Sequence, residues 1–390
     1  MKLVFFVHSL VSDWNHGNAH FLRGVVTELL GRGHDVDVYE PADAWSVQNL
    51  VADHGLAALN EFARAYPHLR SQRYASLDLD HDLDRALDGA DVVIVHEWND
   101  HDLVKRIGAH RARNRSYTLF FHDTHHRAVT RPEEMRAYDL RHYDGVLAYG
   151  GVIRDLYLRN GWAQRAWTWH EAADTRLFHP RPHAEPVGDA VWIGNWGDEE
   201  RTAELREFFI EPVRDLKLRA RVHGVRYPAE GVAALREANI EYGGWLPNHR
   251  VPEVFAAHRV TVHVPRRPYA TSLPGIPTIR PFEALACGIP LVSAPWDDAE
   301  HLFITGADYL VARNGVEMRA QLRAVLEDRN LARLLAENGL RTIQARHTCA
   351  HRVDELMEIV DSCVVPGVSE RSGRAPGAPS PRQIPRSRSG

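Results

Sequence analysis

The feature that most constrains this chain is a set of short, mostly unbroken apolar runs, each closing on polar residues, that recurs in two series along 390 residues. Residues 3–7, 35–40, 91–97, 117–123 and 145–150 make the first series. Apolar runs without alternation suit parallel strands covered on both faces. After the first run, Leu22, Val25, Val26, Leu29 and Leu30 recur at helical spacing, and Gly31 and Gly33 close the helix. Residues 190–194, 218–222, 260–264, 289–293 and 309–311 make the second series, with helical stretches between several of them. Two such series predict an α/β chain with two doubly wound domains. The length agrees with two domains. Pro180, Pro182 and Pro186 punctuate the join, so the domains are expected over 1–178 and 179–345. Residues 331–346 and 351–360 read as helices. In 366–390, nineteen of 25 residues are Pro, Gly, Ser or Arg, and the segment reads as a basic disordered tail.

Composition narrows the function classes. The net charge is -5 and no basic stripe dominates, which argues against a nucleic-acid binder. The three cysteines, Cys287, Cys349 and Cys363, are odd in number and widely spaced, so neither a disulfide scaffold nor a zinc site is expected. A reducing, cytoplasmic setting fits them best. The first apolar run is short and soon interrupted by His8, Asp13 and His16, so it reads as a buried strand rather than a signal or a membrane span. No Gly-x-Gly-x-x-Gly follows that strand, which disfavours a dehydrogenase.

In open parallel sheets ligands sit beyond the carboxyl ends of the strands. His96-Glu97-Trp98-Asn99 and His122-Asp123-Thr124-His125-His126 stand at two such ends. The three histidines of the second string lack a familiar set of metal-ligand partners, so no metal is expected. Gly17-Asn18, flanked by His16 and His20, lies between the first strand and helix, where glycine lets backbone approach a ligand. In the second half, a Gly/Pro-rich loop over 273–280 runs into a predicted helix over 281–287. Free N–H groups and the positive dipole end favour a phosphate there, with backbone from Thr278 and Ile279 and charge from Arg280. On the first helical turn, Glu283 offers a carboxylate to ribose hydroxyls or, more simply, favours the helix dipole.

The string Phe282-Glu283-Ala-Leu-Ala-Cys287-Gly288-Ile-Pro290-Leu-Val resembles the donor-site signature of family 4-like retaining glycosyltransferases of GT-B fold. Asp174-Thr175-Arg-Leu-Phe178-His-Pro180 is similar to their interdomain signature. Tyr242-Gly-Gly244-Trp245-Leu246 is similar to the turn that precedes the donor loop. Val191-Trp-Ile193-Gly194-Asn195 with Arg201 resembles the start of the second domain in the spore-maturation (CgeB-like) branch. The resemblance implies two Rossmann-like domains facing across a cleft, with C-terminal helices, here 346–365, crossing back to the first domain. It implies sugar transfer from a nucleotide donor with retention and without a bound metal or cofactor. It also implies that His122 faces the donor sugar as the catalytic residue, and that His16, Gly17 and Asn18 lie near the phosphates and acceptor. Arg201 and Arg280 replace a phosphate-binding pair that has no clean match. Gly194, Asn195, Trp245 and Leu246 complete the expected donor site, with Trp245 stacking on base or sugar. One departure stands out. The family carries two Glu seven residues apart; the second matches Glu283, but the first falls on Gly275.

The resulting expectation is a glycosyltransferase acting on a small-molecule or lipid-linked acceptor, with peripheral membrane contact allowed. A nucleotide-sugar epimerase of similar architecture and a non-catalytic nucleotide-binding homologue are the alternatives.

Overall fold

The computed structural model describes residues 1–75, 79–182, 185–197 and 199–363. The tail read over 366–390 lies outside the described residues.

Strands β1 (Lys2–Phe6), β2 (Asp35–Pro41), β3 (Gln72–Tyr74), β4 (Val92–His96), β5 (Thr118–Asp123), β6 (Gly145–Ala148) and β7 (Ala166–Thr168) form a seven-stranded sheet in the order β3-β2-β1-β4-β5-β6-β7. Strands β8 (Gly188–Ile193), β9 (Ala220–His223), β10 (Ile240–Tyr242), β11 (His258–His263), β12 (Leu291–Ser293) and β13 (Leu310–Val311) form a six-stranded sheet in the order β10-β9-β8-β11-β12-β13. Neighbouring strands in both sheets run parallel. The helices that matter below are α1 (Ala19–Gly31), α2 (Trp45–His54), α3 (Gly151–Arg159), α4 (Ile279–Ala286), α5 (Arg329–Arg346) and α6 (Cys349–Cys363). Each sheet is covered on both faces, as its apolar strands require. Val4, Phe6, Val93 and Val95 point to one core of the first sheet, and Leu3, Phe5, Val92 and Ile94 to the other. This is the pair of Rossmann-like domains that the two apolar series predicted.

The edge strands β3, β7 and β10 carry no clear apolar run and have no counterpart in the sequence reading. Each is three residues long, and the burial of neighbouring strands rather than its own pattern holds it in register. The predicted 281–287 helix begins two residues earlier, at Ile279, because Pro281 is compatible with the first turn.

The halves are interleaved at their ends. Helix α6 packs its Cys349, Val353, Leu356 and Val360 into the core that α1 covers in the first domain. The buried Trp169 indole donates to the Arg352 carbonyl at 2.8 Å and pins α6 there. Conversely, Tyr269, Leu273 and Ile276 of the second half enter the core of the first sheet.

Candidate active site

The strand orders decide where a ligand fits. In the first sheet the winding reverses between β1 and β4, and in the second between β8 and β11. Loops diverge at these points and leave a crevice beyond the carboxyl ends. The two crevices meet in one cavity of about 860 Å³. His16, Gly17 and Asn18 enter it after β1, Trp98 after β4, Gly194 and Asn195 after β8, and Val264, Pro265 and Arg266 after β11. Thr278, Ile279, Arg280, Glu283, Arg201, Trp245 and Leu246 also line it. Of the residues expected to be catalytic, to bind the donor or to form the acceptor loop, His122 alone does not; His20, His96, Glu97, Asn99, Asp123 and Gly275, also marked in the sequence, stand outside the lining as well.

Helix α4 starts at the cavity wall. Thr278 precedes it with φ 63° and ψ -178°, a backbone region that non-glycine residues rarely enter. Strain of this kind is held where surrounding structure fixes the chain. The loop after β1 approaches closely: a Cβ on Gly17 would lie 3.4 Å from Ile279 Cγ2. The two loops expected to share a ligand therefore touch.

Glu283 is fully buried at the cavity floor and already engaged. Asn248 Nδ2 donates to its Oε1 at 2.7 Å, and Arg280 Nη1 donates to its Oε2. His20 Nδ1 stands 2.9 Å from Oε1, off the line of a hydrogen bond. The Asp174 N–H donates to His20 Nε2 at 2.9 Å, so the ring proton lies on Nδ1, toward the carboxylate. Burial alone would raise the Glu283 pKa, but Arg280, His20 and Asn248 outweigh it and hold the carboxyl below its ordinary value. Glu283 thus anchors Arg280 and joins both domains.

Arg201 is enclosed differently. Its Nη1 and Nη2 donate to the carbonyls of Val264 and Asn195 at 3.1 and 3.0 Å, Nη2 also to Asn195 Oδ1, and Nε is buried without a partner. Among the described residues, no carboxylate pairs with it within ion-pair distance. Burial, with Arg266 and Arg280 nearby, pushes its pKa down to about 9. Arg266 itself pairs with Glu200 at 2.8 Å. His263, which the sequence reading passed over, also lines the cavity; burial together with Arg201 and Arg280 takes it to about 3.

His122 lies behind the wall. Its ring packs against Trp169, His96 and Phe21 at centroid distances of 4.8, 5.5 and 6.1 Å, and burial takes its pKa to about 3. The side chain points out of the sheet on the face that α1 covers, the face Phe120 takes two residues earlier, and the cavity is reached from beyond β5 by Thr124, His125 and His126 instead. Trp245 meets the cavity, but its indole is committed elsewhere. Nε1 donates to Asp13 Oδ1 at 3.0 Å, and the ring lies 4.6 Å from that of His54. It ties the domains together, and with His54 against the ring only its remaining surface is left to line the cavity.

Glu171 went unnoticed in the sequence, standing in the linker after β7. It is buried at the cavity wall. Asn18 Nδ2 donates to Oε1 at 3.2 Å. Burial raises its pKa to about 7, against the Asn18 hydrogen bond and with help from Glu283. The carboxylate missing at position 275 has a neighbour too. A Cβ on Gly275, at φ 85°, would stand 2.5 Å from Glu300 Oε1. Glu300 is turned away from the cavity: it accepts from the Gly151 N–H that starts α3 at 2.7 Å and pairs with His170 Nε2 at 3.0 Å. Among the described residues, no three His, Cys, Asp or Glu side chains group as a metal site. No described helix is long and apolar enough to cross a membrane.

A family model described as glycosyl transferase-like matches residues 201–358. Among curated proteins, none matches the sequence. Several solved structures share the fold. Anabaena HepE, in complex with UDP and glucose, is 16% identical with a TM-score of 0.63, covering 93% of this chain and 100% of its own. Sucrose-phosphate synthase from Thermosynechococcus elongatus is 15% identical with a TM-score of 0.62, covering 93% of this chain and 98% of its own. An α-glucosyltransferase in complex with UDP and a 13-mer DNA is 11% identical with a TM-score of 0.66, covering 93% of this chain and 99% of its own. The likeness is one of fold, the GT-B arrangement of two Rossmann-like domains facing across a cleft.

Proposed function

We propose that this chain is a glycosyltransferase that takes a sugar from a nucleotide-sugar donor seated against the second sheet. The observation that carries the reading is Arg201, a half-buried guanidinium at the cavity wall with a fully buried Nε, carbonyl and amide partners and, among the described residues, no carboxylate within ion-pair distance. An unneutralised buried cation is costly unless an anion completes it. A diphosphate beside Arg201 and Arg280, at the N-terminal end of α4, supplies that anion. The glycosyl transferase-like match over 201–358 supports transfer and does not favour the epimerase alternative.

The chemistry follows from the same groups. As the bond between sugar and diphosphate breaks, negative charge grows on the leaving oxygen. Fixed cations and N–H dipoles stabilise that charge without reorganising. The departing phosphate oxygen can take the proton of the incoming hydroxyl, so no enzyme nucleophile is needed. With His122 behind the wall, Glu171 and His16 are ionisable groups of the first domain that line the cavity on the side of the Gly17–Asn18 loop. Retention, a hexosyl donor, independence of metal and a small-molecule or lipid-linked acceptor are parts of the proposal that rest on the family resemblance; a cytoplasmic setting is a part that rests on the three widely spaced cysteines. Structural neighbours solved with UDP make uridine donors the first to test.

Calorimetric titration of UDP, the other nucleoside diphosphates and the matching nucleosides tests the donor site, followed by donor hydrolysis assays. The expected result is at least about tenfold tighter binding of one diphosphate than of its nucleoside, roughly 1.4 kcal/mol. Equal binding of the two across all bases would remove the donor reading.

A further inference from the structure

We infer that the part of the cavity built on the first sheet binds an uncharged, hydroxyl-bearing ring, a sugar residue, which serves as the acceptor. Only the word acceptor rests on the function proposed above; the binding itself is argued and tested without it.

The two sides of the cavity differ in how their charges are balanced. On the second-sheet side Arg201 has no carboxylate within ion-pair distance among the described residues. On the first-sheet side the cations are already matched. Arg127 donates to the buried Glu97 carboxylate, and Arg131 pairs with Glu134 at 3.3 Å. Nothing in that pairing asks for a phosphate. The wall instead offers two indoles. Trp45 opens α2 and Trp98 follows β4; both line the cavity half-buried, 6.3 Å apart and nearly perpendicular at 68°. The protein covers one face of each, with the His8 ring 4.6 Å from Trp45 and the Arg127 guanidinium 4.1 Å from Trp98. The indole surface that remains forms an apolar corner. The C–H face of a sugar ring packs on such a surface, while its hydroxyls point to polar neighbours.

Those neighbours are present. His16 is buried at the wall, and its Nε2 has no partner in the protein. His125 lines the same side, and its Nδ1 is likewise buried and unpartnered. Burial holds both rings well below the ordinary histidine pKa, so each is neutral at pH 7. A neutral imidazole has one donor and one acceptor nitrogen. A hydroxyl group, which both donates and accepts, is its complement; a phosphate, which only accepts, is not.

Saturation-transfer NMR on the full chain tests this with methyl glycosides of glucose, galactose, mannose and N-acetylglucosamine. Glucose 6-phosphate and mannose 6-phosphate serve as charged counterparts. At least one neutral glycoside should receive saturation, and both sugar phosphates should bind more weakly than it does. Trp98→Ala should weaken that glycoside at least about tenfold, as loss of an aromatic face does, while Trp98→Phe keeps most of the affinity. Circular dichroism and melting on both variants separate a binding loss from a folding loss. Addition of UDP should leave the glycoside in place. Stronger binding by the sugar phosphates, no transfer to any neutral glycoside, unchanged affinity in a folded Trp98→Ala, or displacement by UDP would each overturn the inference. Failure of every nucleoside diphosphate to bind would count against the donor reading and leave the glycoside signals to stand alone.

Discussion

Arg201 and Glu171 show how a residue's surroundings, not its type, set its task. Arg201 sits half-buried among carbonyls, with Arg266 and Arg280 close by. Removing a half-buried cation that has no counter-ion among the described residues relieves a cost. Arg201→Ala is therefore expected to hold or raise the melting temperature while weakening nucleoside diphosphate binding by tenfold or more, about 1.4 kcal/mol. Binding of the bare nucleoside should be unchanged. A matching loss for nucleoside and diphosphate in calorimetry would make Arg201 merely structural. Glu171 has its folded pKa raised to about 7 from an ordinary 4.5 by burial. Between those values the folded chain holds a proton that the unfolded chain has released. Its contribution to stability is present below pH 4.5 and is lost as pH rises through about 7. Glu171→Gln should melt near wild type at pH 4.5 and above it at pH 8, by up to about 3 kcal/mol. Parallel melting curves across that range would refute the assignment.

At the scale of elements, the start of α4 and the loop before it carry the site. The sequence marked this segment through Gly275, Thr278 and Glu283, and chain chemistry alone justified a helix opening onto a phosphate. What it left unseen was the neighbour of Gly275. Restoring the family's carboxylate there, as Gly275→Glu, drives a side chain into Glu300 and burdens a backbone at φ 85°. The variant should lose about 1–3 kcal/mol of stability from overpacking and strain. It should not gain activity. Adding Glu300→Ala should recover part of the loss, read from chemical denaturation as a coupling between the two positions. Additive losses would mean that the two side chains do not meet. His122 is the opposite case. Its place at a strand end was legible, but which face it takes depends on the alternation of β5. Its neighbours on β5, packed on either side of the sheet, could not be assigned from a run apolar throughout.

For the whole molecule, Asp13 illustrates what joins the halves. Its carboxylate accepts from Arg23 at 2.9 Å within the first domain, and from Trp245 Nε1 and the Asn248 N–H, each at 3.0 Å, in the second. Asp13→Ala leaves Arg23, which is 2% exposed, without its counter-ion. A loss of about 3–5 kcal/mol is expected, as for other broken buried pairs. Small-angle scattering should also show a more open particle. A variant as stable and compact as wild type would show that the domains are held elsewhere. The sequence by itself determined the two α/β units, because apolar runs and helical spacing are local and each must find a covered sheet. It also marked the loop at Thr278–Arg280 and the Gly17–Asn18 turn, since helix starts and glycines act through nearby backbone. Only the tertiary structure decided which charges are neutralised. Among the described residues Arg201 lacks a carboxylate, Arg127 has Glu97, Glu171 is buried beside Asn18, and Glu300 spans to Gly151 and His170. Those pairings join residues far apart in the chain, and electrostatic energy depends on distance in space and on burial, neither of which a linear pattern contains.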